Sequence, residues 1–222
     1  MTANQRNPFD PVSMFNDVAD MPLQRELLHG VMAEYAVSYT ECAERFGLST
    51  LDDVLPHYRR GKIEELLVEL AGRTRGCTVK TRRNEAGNCS HNLLFIGERI
   101  ALTQSKVDDR HQLPRDALFR GTYARLPQTL LAFMHDDTTD AHTEEEVLYG
   151  MVIHSPSDVK CLPWFVDIVF PDPVCESIVG AIRLMEKFPD VVQQIVPAEE
   201  VVRPQIDQKL RLKRTLSGDA TA

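Results

Sequence analysis

Cys89–Val107, "CSHNLLFIGERIALTQSKV", is the stretch on which the fold of this chain turns. Two apolar halves flank Gly97-Glu98. A Gly-first pair between two such halves predicts a β-hairpin with a two-residue type II′ turn. That register pairs Ile96 with Arg99, Phe95 with Ile100, Leu93 with Leu102, His91 with Gln104 and Cys89 with Lys106. Cross-strand partners share a face. One face therefore reads Phe95, Ile100, Leu93 and Leu102, then turns polar at His91, Gln104, Cys89 and Lys106. The other face is mixed, with Ile96, Arg99, Leu94, Ala101, Asn92 and Thr103. The polar trio His91, Gln104 and Lys106 is expected at an open sheet edge. The alternative is a pocket that takes a carboxylate from elsewhere in the chain.

The hairpin fixes the class of what surrounds it. "CTVKTRR", Cys77–Arg83, reads as the preceding strand, and "NEAGN" as the loop between. Upstream the period is helical. Pro22–Gly47 places Leu23, Leu27, Leu28, Val31 and Tyr35 on one stripe, with Gly47 as its stop. Ser49-Thr50 followed by Asp52-Asp53 reads as a second helix start, with acids in the positive first turn. Pro56 breaks or restarts that helix, and "KIEELLVELAG" carries it to Gly72. Downstream, "RDALFRGTYARL" and "QTLLAFM" read as helix, and "VLYGMVIH" and "WFVDIVF" as two strands. Asp172-Pro173 opens a last helix with Ile178, Ala181, Ile182 and Met185 as its stripe. The class is α+β: an N-terminal helical module packed with a mainly antiparallel sheet of about five strands flanked by helices. The expected divisions are a flexible arm over 1–20, the helical module over 21–72, an α+β body over 73–203, and a basic then flexible tail over 204–222.

Composition bounds the function. The chain has 222 residues, 43% hydrophobic, with a net charge of −8. That charge argues against non-specific coating of nucleic acid. No apolar run is long enough for a membrane-spanning helix, and the start lacks the basic-then-apolar pattern of a secretory signal. The five cysteines are scattered, with no C-x-x-C pair, so neither a disulfide framework nor a zinc ribbon is expected. A reducing, cytoplasmic setting follows.

Charge is uneven along the chain. Arg59–Arg83 holds eight basic residues against three acids, and Met134–Glu146 holds six acids and no Lys or Arg. The segment "YTECAERFGLSTLDDVL", Tyr39–Leu55, resembles a helix-turn-helix: Ala43 in the first helix, Gly47 at the turn, Leu48-Ser49 opening the second. The resemblance implies that Gly47 takes a positive φ and that the second helix enters the major groove. The apolar residue expected six after the glycine is Asp53. Arg59, Arg60 and Lys62 follow and could contact phosphates. Lys80 and Arg82 share a strand face and could do the same, but the run lacks the aromatic residues on which single-stranded bases stack, and solubilising an edge strand is the favoured explanation.

Gln104-Ser105-Lys106 stands where a nuclease core of the PD-(D/E)xK type carries acid-x-Lys to hold a metal and poise a water. Glu65 or Glu69 could serve from the preceding helix. The acid of the first strand is absent, with His91 and Asn92 in its region. In "HDDTTDAHTEEE", 135–146, His135, Asp136, Asp137, Asp140 and His142 could surround a divalent metal, but their spacing fits neither H-E-x-x-H nor the EF-hand loop, and the segment reads as a solvated loop that could dock a basic partner. Asp167 interrupts "WFVDIVF" and, if buried, needs a partner such as an Arg. His154 is expected at a rim. The sequence thus points to a cytosolic regulatory or interaction protein without an enzyme active site, metal or cofactor, binding DNA through Arg59, Arg60, Lys62, Lys80 and Arg82. Two alternatives stand beside it: a degenerate metal-dependent phosphodiesterase centred on residues 91–106, and a partner-binding module using residues 135–146.

Overall fold

The computed structural model describes residues 10–83, 89–115, 118–124 and 147–195. The acidic segment 135–146, the "NEAGN" loop, "QTLLAFM" and the tail from 204 lie outside the described residues.

The helical module forms as its periodicity predicts. Helix α2, Met21–Arg45, starts at Asp20, whose carboxylate accepts from the backbone N–H of Leu23 at 2.9 Å. That satisfies one of the orphan donors of the first turn. Helix α3, Leu48–Arg73, runs unbroken through Pro56. Pro56 and Asp52 are exposed, while Leu51, Leu55 and Arg59 are buried on the inner side. Water can therefore take the carbonyl that proline leaves without a donor, and packing holds the rest. Residues 10–20 are not an arm. Asp10 caps a short helix α1, Pro11–Val18, and Phe15 is buried with its ring 5.7 Å from that of Phe170.

The fold is α+β, with the N-terminal helices packed on a six-stranded, mostly antiparallel sheet in the order β1 to β6. The strands are β1 Cys77–Arg83, β2 Ser90–Ile96, β3 Ile100–Lys106, β4 Leu148–Pro156, β5 Pro163–Pro171 and β6 Ile178–Arg183. Helix α4, Leu118–Ala124, lies between β3 and β4 in the chain, and those two strands run parallel. Short helices α5, Leu184–Lys187, and α6, Pro189–Ile195, close the described chain. One core joins α1, α2, α3, α5 and α6 to one sheet face through residues such as Leu28, Leu67, Leu94, Ile100, Val152 and Phe170. A second core lies on the other face, where Leu93, Phe95, Ala101, Met151 and Val169 meet Ala124 of α4.

Two expectations fail here for physical reasons. The hairpin opposes Ile96 to Ile100 and Leu94 to Leu102, one residue away from the two-residue register. Gly97 and Glu98 both have φ near 55°, and the loop also takes Arg99, whose carbonyl accepts from Leu148 of β4. A one-residue slip exchanges the faces. Leu94, Ile96, Ile100 and Leu102 face the helices and Leu93, Phe95 and Ala101 face α4, so both faces are buried. The helix expected after Asp172-Pro173 is instead strand β6. The Asp172 carboxylate accepts from the Glu176 amide and the Ser177 hydroxyl, Asp172 N–H donates to Ser177 O, and Cys175 has φ 60°. That tight loop turns the chain back along β5.

Candidate functional site

β2 and β3 pair only over Leu94–Ile96 and Ile100–Leu102. Beyond that, β2 stays with β1 as far as Ser90, and β3 stays with β4 as far as Lys106. The sheet is split at this end, and a split leaves strand amides in need of acceptors. Glu64 of α3 fills the role. Its Oε2 accepts from the Asn92 backbone N–H at 2.6 Å, and its Oε1 accepts from Gln104 Nε2 at 2.8 Å.

From Glu64 a chain of hydrogen bonds runs inward. Gln104 donates through Nε2, so its Oε1 is an acceptor. His154 Nε2 lies 3.1 Å from that oxygen and therefore carries the proton. His154 Nδ1 is then the acceptor for the Tyr35 hydroxyl, 2.8 Å away. Every donor in the chain Tyr35–His154–Gln104–Glu64 points toward the carboxylate. Gln104 is 6% and His154 2% exposed. The sheet-edge expectation for Gln104 and the rim expectation for His154 are both overturned: each lies inside a pocket that receives a carboxylate from a distant helix.

That pocket holds about 370 Å³. Arg59, Arg60, Lys106 and Arg120 bring positive charge to its wall, against, among the described residues, the single carboxylate of Glu64. Arg59 is 4% exposed, with its guanidinium carbon 3.9 Å from the centre of the Tyr35 ring and one N–H donating to Lys160 O at 2.5 Å. Its buried Nε has no hydrogen-bond acceptor among the described residues. Arg60 donates to Ser90 O at 2.6 Å and lies 4.0 Å from Glu64. Arg120 of α4 donates to the Ser105 hydroxyl at 2.9 Å. His91 faces the α4 side, 3.3 Å from the Tyr123 hydroxyl. The pocket is thus lined from both faces of the sheet at the split.

The histidines register this charge. Burial first, then Arg60, Arg120 and Arg82, bring His91 down to about 4. Burial, then Arg59 and Lys106, brings His154 down to about 3. Burial raises Glu64 above its ordinary value, against the opposing pull of Gln104, Asn92 and Arg60. Both imidazoles are neutral at pH 7, and the site's positive charge resides on its arginines and lysine.

The residues singled out from the sequence are redistributed. His91, Gln104 and Lys106 do meet, and Arg59 and Arg60 join them. Arg82 stands opposite His91 on edge strand β1, with Lys80 two residues back on the same face. Lys62 is elsewhere, 4.0 Å from Glu41 and over the Tyr58 ring. The helix-turn-helix turn is not formed. Gly47 has φ −68°, and Leu51 and Leu55 pack on Cys42 in a small cluster at the helix junction. Asp52 pairs with Lys160. Asp167 finds the arginine it requires: Arg110 grips it with two hydrogen bonds of 3.0 Å. Glu64, not the exposed Glu65 or Glu69, is the acid that α3 supplies. Tyr35, Glu64 and Arg120 were not read as site residues, because each belongs to a helical pattern that packing alone explains.

The oxygens that a metal would need are already facing donors. Glu64 faces two N–H groups, Gln104 Oε1 faces His154 Nε2–H, and Asn92 Oδ1 accepts from the Thr81 hydroxyl at 2.7 Å. Among the described residues no group of three or more His, Cys, Asp and Glu is placed to hold a metal ion. No described helix is long and apolar enough to cross a membrane. No family model, curated protein or solved structure matches this chain.

Proposed function

We propose that this protein binds a phosphate-bearing ligand of nucleotide size in the pocket at the sheet split, and that it does so without catalysing hydrolysis. The observation that carries the reading is the gathering of Arg59, Arg60, Arg120 and Lys106, the last also 3.4 Å from Asp108, around a concave site of about 370 Å³ whose one lining carboxylate among the described residues is Glu64. Pockets of this size take small ligands, and arginines suit phosphate oxygens because they present paired donors. Arg59 adds a buried N–H with no acceptor among the described residues. A buried unsatisfied donor is costly, and a ligand oxygen would relieve it.

The reading retains nucleic-acid chemistry but moves it from the helix junction to the sheet. It also explains why Gln104-Ser105-Lys106 looks like a worn acid-x-Lys. The lysine serves to bind an anion, while the glutamine couples His154 to Glu64 instead of supplying charge to a metal. The test is titration of thymidine 5′-monophosphate by calorimetry, with and without EDTA. Lys106→Ala is expected to weaken binding about tenfold, the effect of one charge-assisted contact, and EDTA to change nothing. Binding that requires Mg²⁺, or that ignores Lys106→Ala, would overturn the proposal.

A further inference from the structure

The pocket does not exhaust the positive charge at the split. Arg82 is the cross-strand partner of His91, so the two side chains share the α4 face of the sheet. Their backbones lie one strand spacing apart, about 5 Å. Arg82 is exposed, and its side chain forms no ion pair or hydrogen bond with the described residues. It sits on β1, the sheet edge, one strand outward from a residue that lines the pocket.

We infer that Arg82 forms a second phosphate subsite and that the ligand is the end of a single-stranded nucleic acid, with its terminal nucleotide in the pocket and its next phosphate on Arg82. This rests on the phosphate-binding reading of the pocket and extends it from a mononucleotide to a strand. Three features of the site favour a strand. The second cation lies outside the pocket, where a lone nucleotide would not reach. It is placed on β1, beside which no further strand pairs among the described residues. The pocket itself has the volume of about one nucleotide, so the two strands of a duplex end cannot both enter. His91, the cross-strand partner of Arg82, itself lines the pocket, so the two subsites are neighbours, and burial, then Arg60, Arg120 and Arg82, hold it uncharged.

The experiment compares pT with pTpT on the full chain at several salt concentrations, in the wild type, Arg82→Ala and Lys106→Ala. In the wild type pTpT is expected to bind about tenfold more tightly than pT, one charge-assisted contact's worth. Arg82→Ala is expected to abolish that gain while leaving pT unchanged, and to reduce the slope of log K against log salt by about 0.7 for the lost single-strand contact. Lys106→Ala should weaken both ligands alike. Arg82 is exposed, so its variant is expected to melt like the wild type, which a thermal scan checks. The inference is overturned if pTpT gains nothing over pT, if Arg82→Ala weakens both equally, or if a blunt duplex competes as well as the single strand. If neither pT nor pTpT binds the wild type, the pocket reading itself falls. If pT binds without a gain for pTpT, only the second subsite falls.

Discussion

His154 is held at both ring nitrogens. It accepts from Tyr35 at one nitrogen, donates to Gln104 from the other, and is kept neutral by burial and by Arg59 and Lys106. Both His154 and His91 have folded pKa values, about 3 and about 4, below the ordinary 6.5. Between those values and 6.5 the unfolded chain binds more protons than the folded one, so stability must rise with pH through that window and fall on acidification. Glu64 acts in the opposite sense just above its ordinary value, because its folded pKa is raised. Urea midpoints measured from pH 7 down to 4.5 should therefore decline for the wild type. His154→Gln should decline less steeply, by up to about 1.4 kcal/mol per pH unit for the one proton removed. An unchanged slope would mean that His154 titrates normally.

At the scale of elements, close approach of helices sets the tolerances. A Cβ on Gly30 of α2 would lie 2.5 Å from Leu66 Cδ1 of α3, whereas one on Gly61 would meet nothing within 4 Å. Both glycines cost helix stability relative to alanine, by roughly 1 kcal/mol. Gly61→Ala should return about that amount. Gly30→Ala should instead destabilise by about 1–2 kcal/mol, because Leu66 is buried and overpacking exceeds the propensity gain. Thermal melts of the two variants should move in opposite directions. The two long helices were legible because their stripes at Leu23–Tyr35 and Ile63–Leu70 have one period. Strand β6 was not, because Ile178 and Ile182 share a face whether the chain is helix or strand. The hairpin was legible, but its register was not. With apolar residues on both faces, alternation cannot distinguish one pairing from its neighbour, and the deciding contact, Arg99 to Leu148, comes from a strand nearly fifty residues away. The site was read in part. Its strand residues stood out as polar breaks in an apolar run, whereas Glu64 and Tyr35 looked like ordinary helix positions.

At the scale of the whole molecule, the helical module and the sheet share one core. Phe15, Leu28, Leu67, Leu94, Ile168 and Phe188 belong to a single cluster drawn from both ends of the described chain. Far-ultraviolet and near-ultraviolet circular dichroism should therefore report one coincident urea transition. Phe15→Ala should shift both probes together by about 3–5 kcal/mol, the cost of emptying a buried aromatic site. Separate transitions would instead divide residues 21–72 from the sheet. The split between β2 and β3 has one more effect. Elsewhere in a sheet an amide is shielded from solvent exchange by a carbonyl on the next strand. At Asn92 a side-chain carboxylate does this instead. The exchange rate of that one proton is therefore governed by the charge and occupancy of Glu64, giving the strand a local gauge of the site that the rest of the backbone does not register.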